Sequence, residues 1–189
     1  MAQYGWKIDL RKCIGCHACA VACKSENNTD PQTSPTTMRN GRVALAVNWR
    51  DVLSVWKGRY PTPQLTFVTM SCNHCYDPAC LKSCPVGAIS KRAQDGAVLI
   101  DQAKCIGCKY CVWACPYGAP QFNEITKKVE KCTMCVQRLD AGLQPACVTT
   151  CAGRALSFEQ FDESRSGENA PEGFTGPAMT HPAVRFVVA

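Results

Sequence analysis

The chain has 189 residues, a formal net charge of +6 and sixteen cysteines, with 46% hydrophobic and 19% charged residues. That composition supports an apolar core and excludes a disordered or collagen-like chain. No run reaches the ~18 apolar residues that a membrane-spanning helix needs, so the chain is not expected to cross a membrane itself. Neither an apolar signal core nor a twin-arginine pair precedes the first cysteines, so any export is expected to depend on a partner.

Residues 1–70 carry the first cysteine group and an insertion. Cys13, Cys16, Cys19 and Cys23 follow the spacing C-x2-C-x2-C-x3-C. Residues 25–37, rich in Ser, Asn, Thr and Pro, read as a solvated loop. Val43 to Trp49, Val52 to Trp56 and Leu65 to Thr69 read as strands, with Tyr60-Pro61-Thr62-Pro63 as a break.

Residues 71–122 read as a two-cluster ferredoxin module. The second group is Cys72, Cys75, Cys80 and Cys84, followed by Pro85; the third is Cys105, Cys108, Cys111 and Cys115, followed by Pro116. Between them Ala88 to Lys91 and Val98 to Ile100 flank Asp95-Gly96, a hairpin signal. The prolines fix the ends of the cysteine loops. A short helix after each C-x3-C step is expected to turn its N-terminal amides toward an anionic centre.

Residues 123–158 hold the fourth group, Cys132, Cys135, Cys147 and Cys151, with Thr133 to Ala141 as a helix stopping at Gly142. Residues 159–189 are acidic, rich in Gly and Pro and without periodicity. They read as a tail, favoured as an arm that orders on a partner.

Three thiols at two-residue gaps suit a loop wrapped around a cubane, while the fourth sits a helical turn on and reaches the other cluster of a pair. Disulfides fit poorly, since neighbouring cysteines in one turn would mispair and no secretory signal argues for an oxidising compartment. Zinc would leave the extra thiol of each triplet without work. Iron–sulfur chemistry is therefore the reading. A repeat supports it: Ile8-Asp9 through Lys12-Cys13-Ile14-Gly15-Cys16 matches Ile100-Asp101 through Lys104-Cys105-Ile106-Gly107-Cys108 at a constant offset. Pro78-Ala79-Cys80 to Cys84 likewise matches Pro145-Ala146-Cys147 to Cys151. The chain reads as a duplicated two-cluster unit in which the first and fourth groups pair around the inner module.

The positive charge does not imply nucleic-acid binding. Each oxidised [4Fe–4S] centre on four thiolates carries about −2, so four would bring the loaded protein to roughly −2. Lys12, Lys24, Lys104, Lys109 and Lys131, beside cysteines, then read as local compensation that raises cluster potentials. His17 and His74, inside cysteine loops, read as surface or loop residues rather than ligands, and His181 carries no assignment. Trp6, Trp49, Trp56 and Trp113 read as packing, with Trp113 shielding a centre from water. No triad, carboxylate pair, P-loop or dinucleotide fingerprint is present, so no catalytic residue and no direct small-molecule substrate is assigned.

Ser71-Cys72-Asn73-His74-Cys75, Asp77-Pro78-Ala79-Cys80, Cys115-Pro116-Tyr117-Gly118-Ala119-Pro120 and Lys131-Cys132-Thr133-Met134-Cys135, with Arg138 and Pro145-Ala146-Cys147, carry a family resemblance. Over about residues 4–158 the chain resembles the iron–sulfur (beta) subunits of dimethyl sulfoxide reductase-type molybdoenzymes. That family serves dimethyl sulfoxide, polysulfide, thiosulfate, tetrathionate and arsenate reductases, membrane formate dehydrogenases and nitrate reductase. The resemblance implies an α+β, loop-rich double-ferredoxin fold with two nested two-cluster modules and four [4Fe–4S] clusters. Carried over, Cys13, Cys16, Cys19 and Cys151 would hold one cluster, and Cys132, Cys135, Cys147 and Cys23 its partner. Cys72, Cys75, Cys80 and Cys115 would hold a third, and Cys105, Cys108, Cys111 and Cys84 a fourth.

Some relatives hold a three-iron cluster where a third-group cysteine is tryptophan; all sixteen cysteines are kept here. The chain also lacks the C-terminal transmembrane helix of some formate dehydrogenase beta subunits, which places it nearest the dimethyl sulfoxide and polysulfide reductase type. The implied role is electron relay between a molybdopterin (Mo or W) catalytic subunit and a quinone-reactive membrane anchor. The complex would sit on the cytoplasmic face, or on the periplasmic face by co-export with a signal-bearing partner. The alternatives are a free polyferredoxin, a ferredoxin-like subunit of a hydrogenase or formate–hydrogen system and, remotely, a zinc scaffold. The insertion strands and the tail speak for a fixed complex.

Overall fold

The structure, a computed structural model, describes residues 2–29, 37–39, 42–44 and 47–188. In chain order the elements are β1 (Tyr4–Asp9), α1 (Ala18–Glu26), β2 (Thr37–Arg39), β3 (Arg42–Ala44), β4 (Arg50–Lys57) and β5 (Gln64–Ser71). They continue with α2 (Ala79–Lys82), β6 (Ile89–Lys91), β7 (Val98–Ile100), α3 (Tyr110–Ala114), β8 (Gln121–Asn123) and β9 (Lys128–Glu130). The last are α4 (Val136–Asp140), α5 (Ala146–Thr149), β10 (Leu156–Gln160) and β11 (Val184–Val187).

Short strands and short helices around long loops make a mixed α/β, loop-rich chain, as expected from a sequence whose cysteine loops leave little room for long elements. Strand β1 is central in a three-stranded sheet, antiparallel to β10 and parallel to β11. Its apolar residues Trp6 and Ile8 are 1% and 2% exposed, and Trp6 Nε1 donates to the Cys72 carbonyl at 3.0 Å. Gly5 is required here, because a Cβ would lie 2.4 Å from the Ala183 carbonyl oxygen of the next strand's approach. Four two-stranded hairpins complete the sheets: β2–β3, β4–β5, β6–β7 and β8–β9. Both faces of the β4–β5 hairpin contribute to the core of Trp6, Ile8, Val184 and Phe186, Val52 from one face and Val68 and Met70 from the other. A second, smaller core gathers Ile89, Val98 and Val129. Helix α1 packs on α5, and α2 on α3. Among the described residues no helix is long and apolar enough to cross a membrane.

Several expectations change. Within residues 159–188 part of the expected tail packs on the chain itself: β11 pairs with β1, and Val184 and Phe186 are 0% and 1% exposed. Its alternating Val-Arg-Phe-Val is short enough to escape a periodicity search, yet it buries two large apolar residues. The expected strand from Val43 to Trp49 is only partly seen, as β3 ends at Ala44, residues 45 and 46 lie outside the described residues, and the backbone turns at Trp49. Residues 30–36 of the expected loop also lie outside the described residues, and its first two residues end α1. The helix expected over Thr133 to Ala141 is shorter, starting at Val136, because Met134 and Cys135 sit at φ 64° and 51°, outside the helical region. The short helices precede or contain the third and fourth cysteines of their groups instead of following them, so their amides do not have the expected placement.

Candidate metal centres

Left-handed residues shape the cysteine loops. Gly15 and His17 have φ 70° and 59°; Gly107 and Lys109, at the repeat positions, have 71° and 66°. Glycine meets the first of these bends without a Cβ clash. The chain thus coils before entering α1, which carries Cys19 and Cys23 one turn apart, or α3, which carries Cys111 and is capped by Cys115. In the second and fourth groups the bends fall at His74, φ 43°, and Met134, φ 64°. Pro78 and Pro145 then start α2 and α5, which carry Cys80 and Cys147.

These loops bring cysteines of different groups together. One cavity is walled by Cys13, Cys16, Cys19 and Cys151, with Val52 and Leu156 as apolar lining. A second is walled by Cys72, Cys75, Cys80 and Cys115. A third is walled by Cys84, Cys105, Cys108 and Cys111, with Ile89 and Val129. The remaining four are electrostatic neighbours: Cys23 feels Cys147 and Cys135, and Cys132 feels Cys23 and Cys147. Cys132 also feels Cys72, so that the fourth and second groups adjoin. A further cavity of about 600 Å³ has no cysteine among its described wall residues, although Lys131 and Thr133, on either side of Cys132, line it.

Among the described residues no three cysteine, histidine or acidic side chains converge as around a single metal ion. Three quartets face shared cavities instead, the arrangement a multi-iron cage requires, and an all-thiol donor set suits iron–sulfur clusters. Burial pushes Cys23, Cys75 and Cys80 up to about 12 and Cys111 to about 11, with neighbouring thiols adding to each. These thiols hold their protons at neutral pH, and a metal bound there would have to displace them. Backbone amides also converge on sulfur: Ala88 N to Cys84 Sγ at 3.3 Å, and Ala155 N to Cys151 Sγ at 3.2 Å.

His74 lies in a loop, as expected, but is 0% exposed, which corrects its reading as a surface residue. Its Nδ1 accepts from Val98 N at 3.0 Å, so the ring proton sits on Nε2. That Nε2 and the Asn73 Nδ2 are buried without a partner, and both residues line the cavity of Cys72, Cys75, Cys80 and Cys115. Two orphaned donors beside four thiols fit a sulfur-rich guest with acceptors to spare. Burial holds His74 neutral, and Lys131, Lys91 and Arg50 reinforce it.

The cations near the sulfur atoms differ from those named by adjacency. The side chains of Lys12, Lys104 and Lys109 are 57%, 64% and 44% exposed and pair with Asp9, Asp101 and Glu124, so solvent screens them. Lys24 donates to the Val47 carbonyl. Of those five, Lys131 is buried, donating to the Val98 and Cys132 carbonyls. Arg50, unmarked in the sequence, is 2% exposed and donates to Thr69 Oγ1 at 3.0 Å and Ser71 Oγ at 2.9 Å. Burial opposes its charge, but Cys147, Cys132, Cys19 and Cys23 favour it and the net direction is upward. The signal that could have found it is the Arg-x20-Ser pairing of a long hairpin, which places a charge opposite small hydroxyls on an otherwise apolar face. Trp113 is 85% exposed and shields nothing in this chain; Trp56, at 67%, is likewise outside the core.

A molecule of this kind, with thiol-walled cavities packed between short strands, is an iron–sulfur protein. A 4Fe-4S dicluster domain model matches residues 63–161 and a 4Fe-4S binding domain model residues 13–27. The chain is 43% identical over 163 residues to the B component of the anaerobic dimethyl sulfoxide reductase of Escherichia coli (strain K12), covering 86% of this chain and 76% of that one. It is 43% identical over 166 residues to the B component of the tetrathionate reductase of Salmonella typhimurium, covering 87% and 60%. To the beta component of the perchlorate reductase of Dechloromonas aromatica it is 32% identical over 223 aligned residues, covering 87% and 66%. The chain therefore belongs to the iron–sulfur (beta) subunits of the dimethyl sulfoxide reductase-type molybdenum oxidoreductases.

Proposed function

We propose that the chain is a non-catalytic electron-transfer subunit that holds four [4Fe–4S] clusters in two nested ferredoxin-like modules. It relays electrons one at a time between a molybdopterin (Mo or W) catalytic subunit and a quinone-reactive membrane anchor, which tethers it to the cytoplasmic membrane. Cys13, Cys16, Cys19 and Cys151 hold the first cluster and Cys132, Cys135, Cys147 and Cys23 the second. Cys72, Cys75, Cys80 and Cys115 hold the third, and Cys105, Cys108, Cys111 and Cys84 the fourth. The observation that carries this reading is that each of three cavities is walled by three cysteines of one group and one of another.

When bound, such clusters supply one-electron chemistry with no bond made to a substrate. The chain's residues do the rest. Apolar walls such as Val52, Ile89 and Val129 exclude water from the cavities, and the amides of Ala88 and Ala155 steady thiolates as donors. Helices α2 and α3, packed together, carry Cys80 and Cys111 toward two neighbouring cavities, and Cys84 and Cys115 follow at or just beyond their ends, which keeps the stations a short hop apart.

Anaerobic preparation of the full chain tests this, with about sixteen iron atoms per chain expected from four cubanes and a paramagnetic signal on reduction. Zinc without iron refutes it. Co-purification with a large molybdopterin-containing chain separates the fixed subunit from a free polyferredoxin, which would run as a fully loaded monomer.

A further inference from the structure

We propose that Arg50 is the shared counter-charge of the two metal centres built from the first and fourth cysteine groups, and that it raises the reduction potentials of both. This rests on the cluster assignment proposed above.

Register puts Arg50 opposite Ser71 at the far end of the β4–β5 hairpin from its turn, and Thr69 lies two residues from Ser71, on the same face. The two hydroxyls hold the two arms of the guanidinium. Its plane is covered by the Trp6 ring, 4.7 Å from the guanidinium carbon to the ring centroid, and that ring is itself pinned by its bond to the Cys72 carbonyl. The group therefore has one position. From it, contacts run to both outer centres. Thr69 Oγ1 lies 3.5 Å from Cys19 Sγ, in the cavity shared with Cys13, Cys16 and Cys151. On the other side Cys147, which neighbours Cys135, is the thiol that most favours the guanidinium's charge.

A buried cation demands an anion. Among the described residues no carboxylate pairs with Arg50. The groups that favour its charge are thiols, so its counter-charge is the thiolate-held centres themselves. Arginine keeps its proton throughout the pH range of a folded protein. When an electron arrives from the titrating reductant or a neighbouring station, one negative charge is added, no proton moves at Arg50, and its fixed positive charge favours the reduced state. Being buried, this interaction escapes the salt screening that weakens the exposed Lys12, Lys104 and Lys109.

The test is a potentiometric titration, followed by electron paramagnetic resonance, of the full chain loaded anaerobically, with iron and visible absorption confirming equal loading of the variants. Arg50→Gln is expected to lower two midpoint potentials and leave two unmoved. Each fall should be at least tenfold in the reduction equilibrium, about 59 mV for a one-electron couple. Arg50→Lys, keeping the charge, should recover most of the fall, and the difference from wild type should survive a rise in salt from ~0.05 to ~0.5 M. Loaded Arg50→Gln protein in which no potential moves, or all four move together, overturns the proposal. Should Arg50→Gln fail to load, Thr69→Val removes the anchor while keeping the charge. A shift confined to the same two potentials then supports the proposal, and none overturns it. A wild-type chain without iron overturns the functional reading, and this proposal with it; loaded chains with unmoved potentials overturn Arg50 alone.

Discussion

His74 and Met134 occupy the same step of two C-x2-C loops, at φ 43° and 64°, and both are 0% exposed. One is an imidazole with an orphaned donor; the other is a thioether with no proton to give. The cations differ in the same way. Arg50 sits among the sulfur atoms of the first and fourth groups, while Lys131 is the buried cation that acts on Cys80 of the second. The closing sheets differ too, with hairpins β6–β7 and β8–β9 near the inner groups and the three-stranded β10-β1-β11 sheet near the outer ones. Duplication has kept the backbone bends that aim thiols and changed what lies behind them. Ligand loops repeat because the guest's geometry is fixed, whereas neighbours diverge because they tune its energy.

Single serine substitutions should break the comparison hardest. Cys151→Ser is expected to disturb the centre of Cys13, Cys16 and Cys19, and Cys84→Ser that of Cys105, Cys108 and Cys111, each losing up to about four iron atoms. Iron analysis with paramagnetic resonance checks both; damage confined to the mutated group's own centre would refute the exchange of fourth cysteines.

Next is Phe186→Ala. Phe186 stacks edge-on with Phe174 and packs with Trp6 and Ile8, so its loss should cost about 3–5 kcal/mol. Thermal unfolding should show the loss, with signals of the outer centres fading before the inner ones. His74→Leu strands the Val98 amide and should cost about 1–3 kcal/mol, shifting the potential of the Cys72 centre more than any other. Equal shifts at all centres would contradict its place in that cavity.

The smallest effect concerns the repeated Asp9 and Asp101. The side-chain hydrogen bond from Arg11 holds the Asp9 carboxyl down at about 2, below its ordinary 3.8. A lowered carboxyl contributes stability that is full above its ordinary value and vanishes as pH falls through about 2. Asp9→Asn should therefore cost about 1 kcal/mol or less, since Arg11 is half exposed, evenly from pH 7 to pH 5, with the difference narrowing only below pH 4. Asp101→Asn, where the carboxylate caps Ala103 N at 2.8 Å and is 46% exposed, should cost less at each pH, as denaturant midpoints would show.

The sequence made the cysteine framework legible because metal-ligand spacing is a local, short-range signal. Hairpins β4–β5 and β6–β7 were legible from alternation and from Asp95-Gly96. What escaped was the surroundings of the sulfur atoms, which are joined to them only through space. Arg50 lies 27 positions from the nearest cysteine before it and 22 from the next, so no spacing links it to sulfur. His74 looked like a polar loop residue, and its partner, the Val98 amide, stands 24 positions along the chain. Residues 184–187 were unreadable because their partner, β1, stands at the opposite end of the numbering.

That last pairing sets an order of events in biosynthesis. At a ribosomal pace of about 5–20 residues per second, β1 waits roughly 10–35 s for β11 to emerge. In that interval Trp6 and Ile8 lack their final cover, while the second and third cysteine groups are already complete. On the cluster assignment proposed above, the inner stations could accept their metal on a nascent chain, whereas the sheet over Trp6 and Ile8 closes only once Val187 has emerged. A maturation factor that shields half-built apolar surface would therefore have to act on the early segment and let go last.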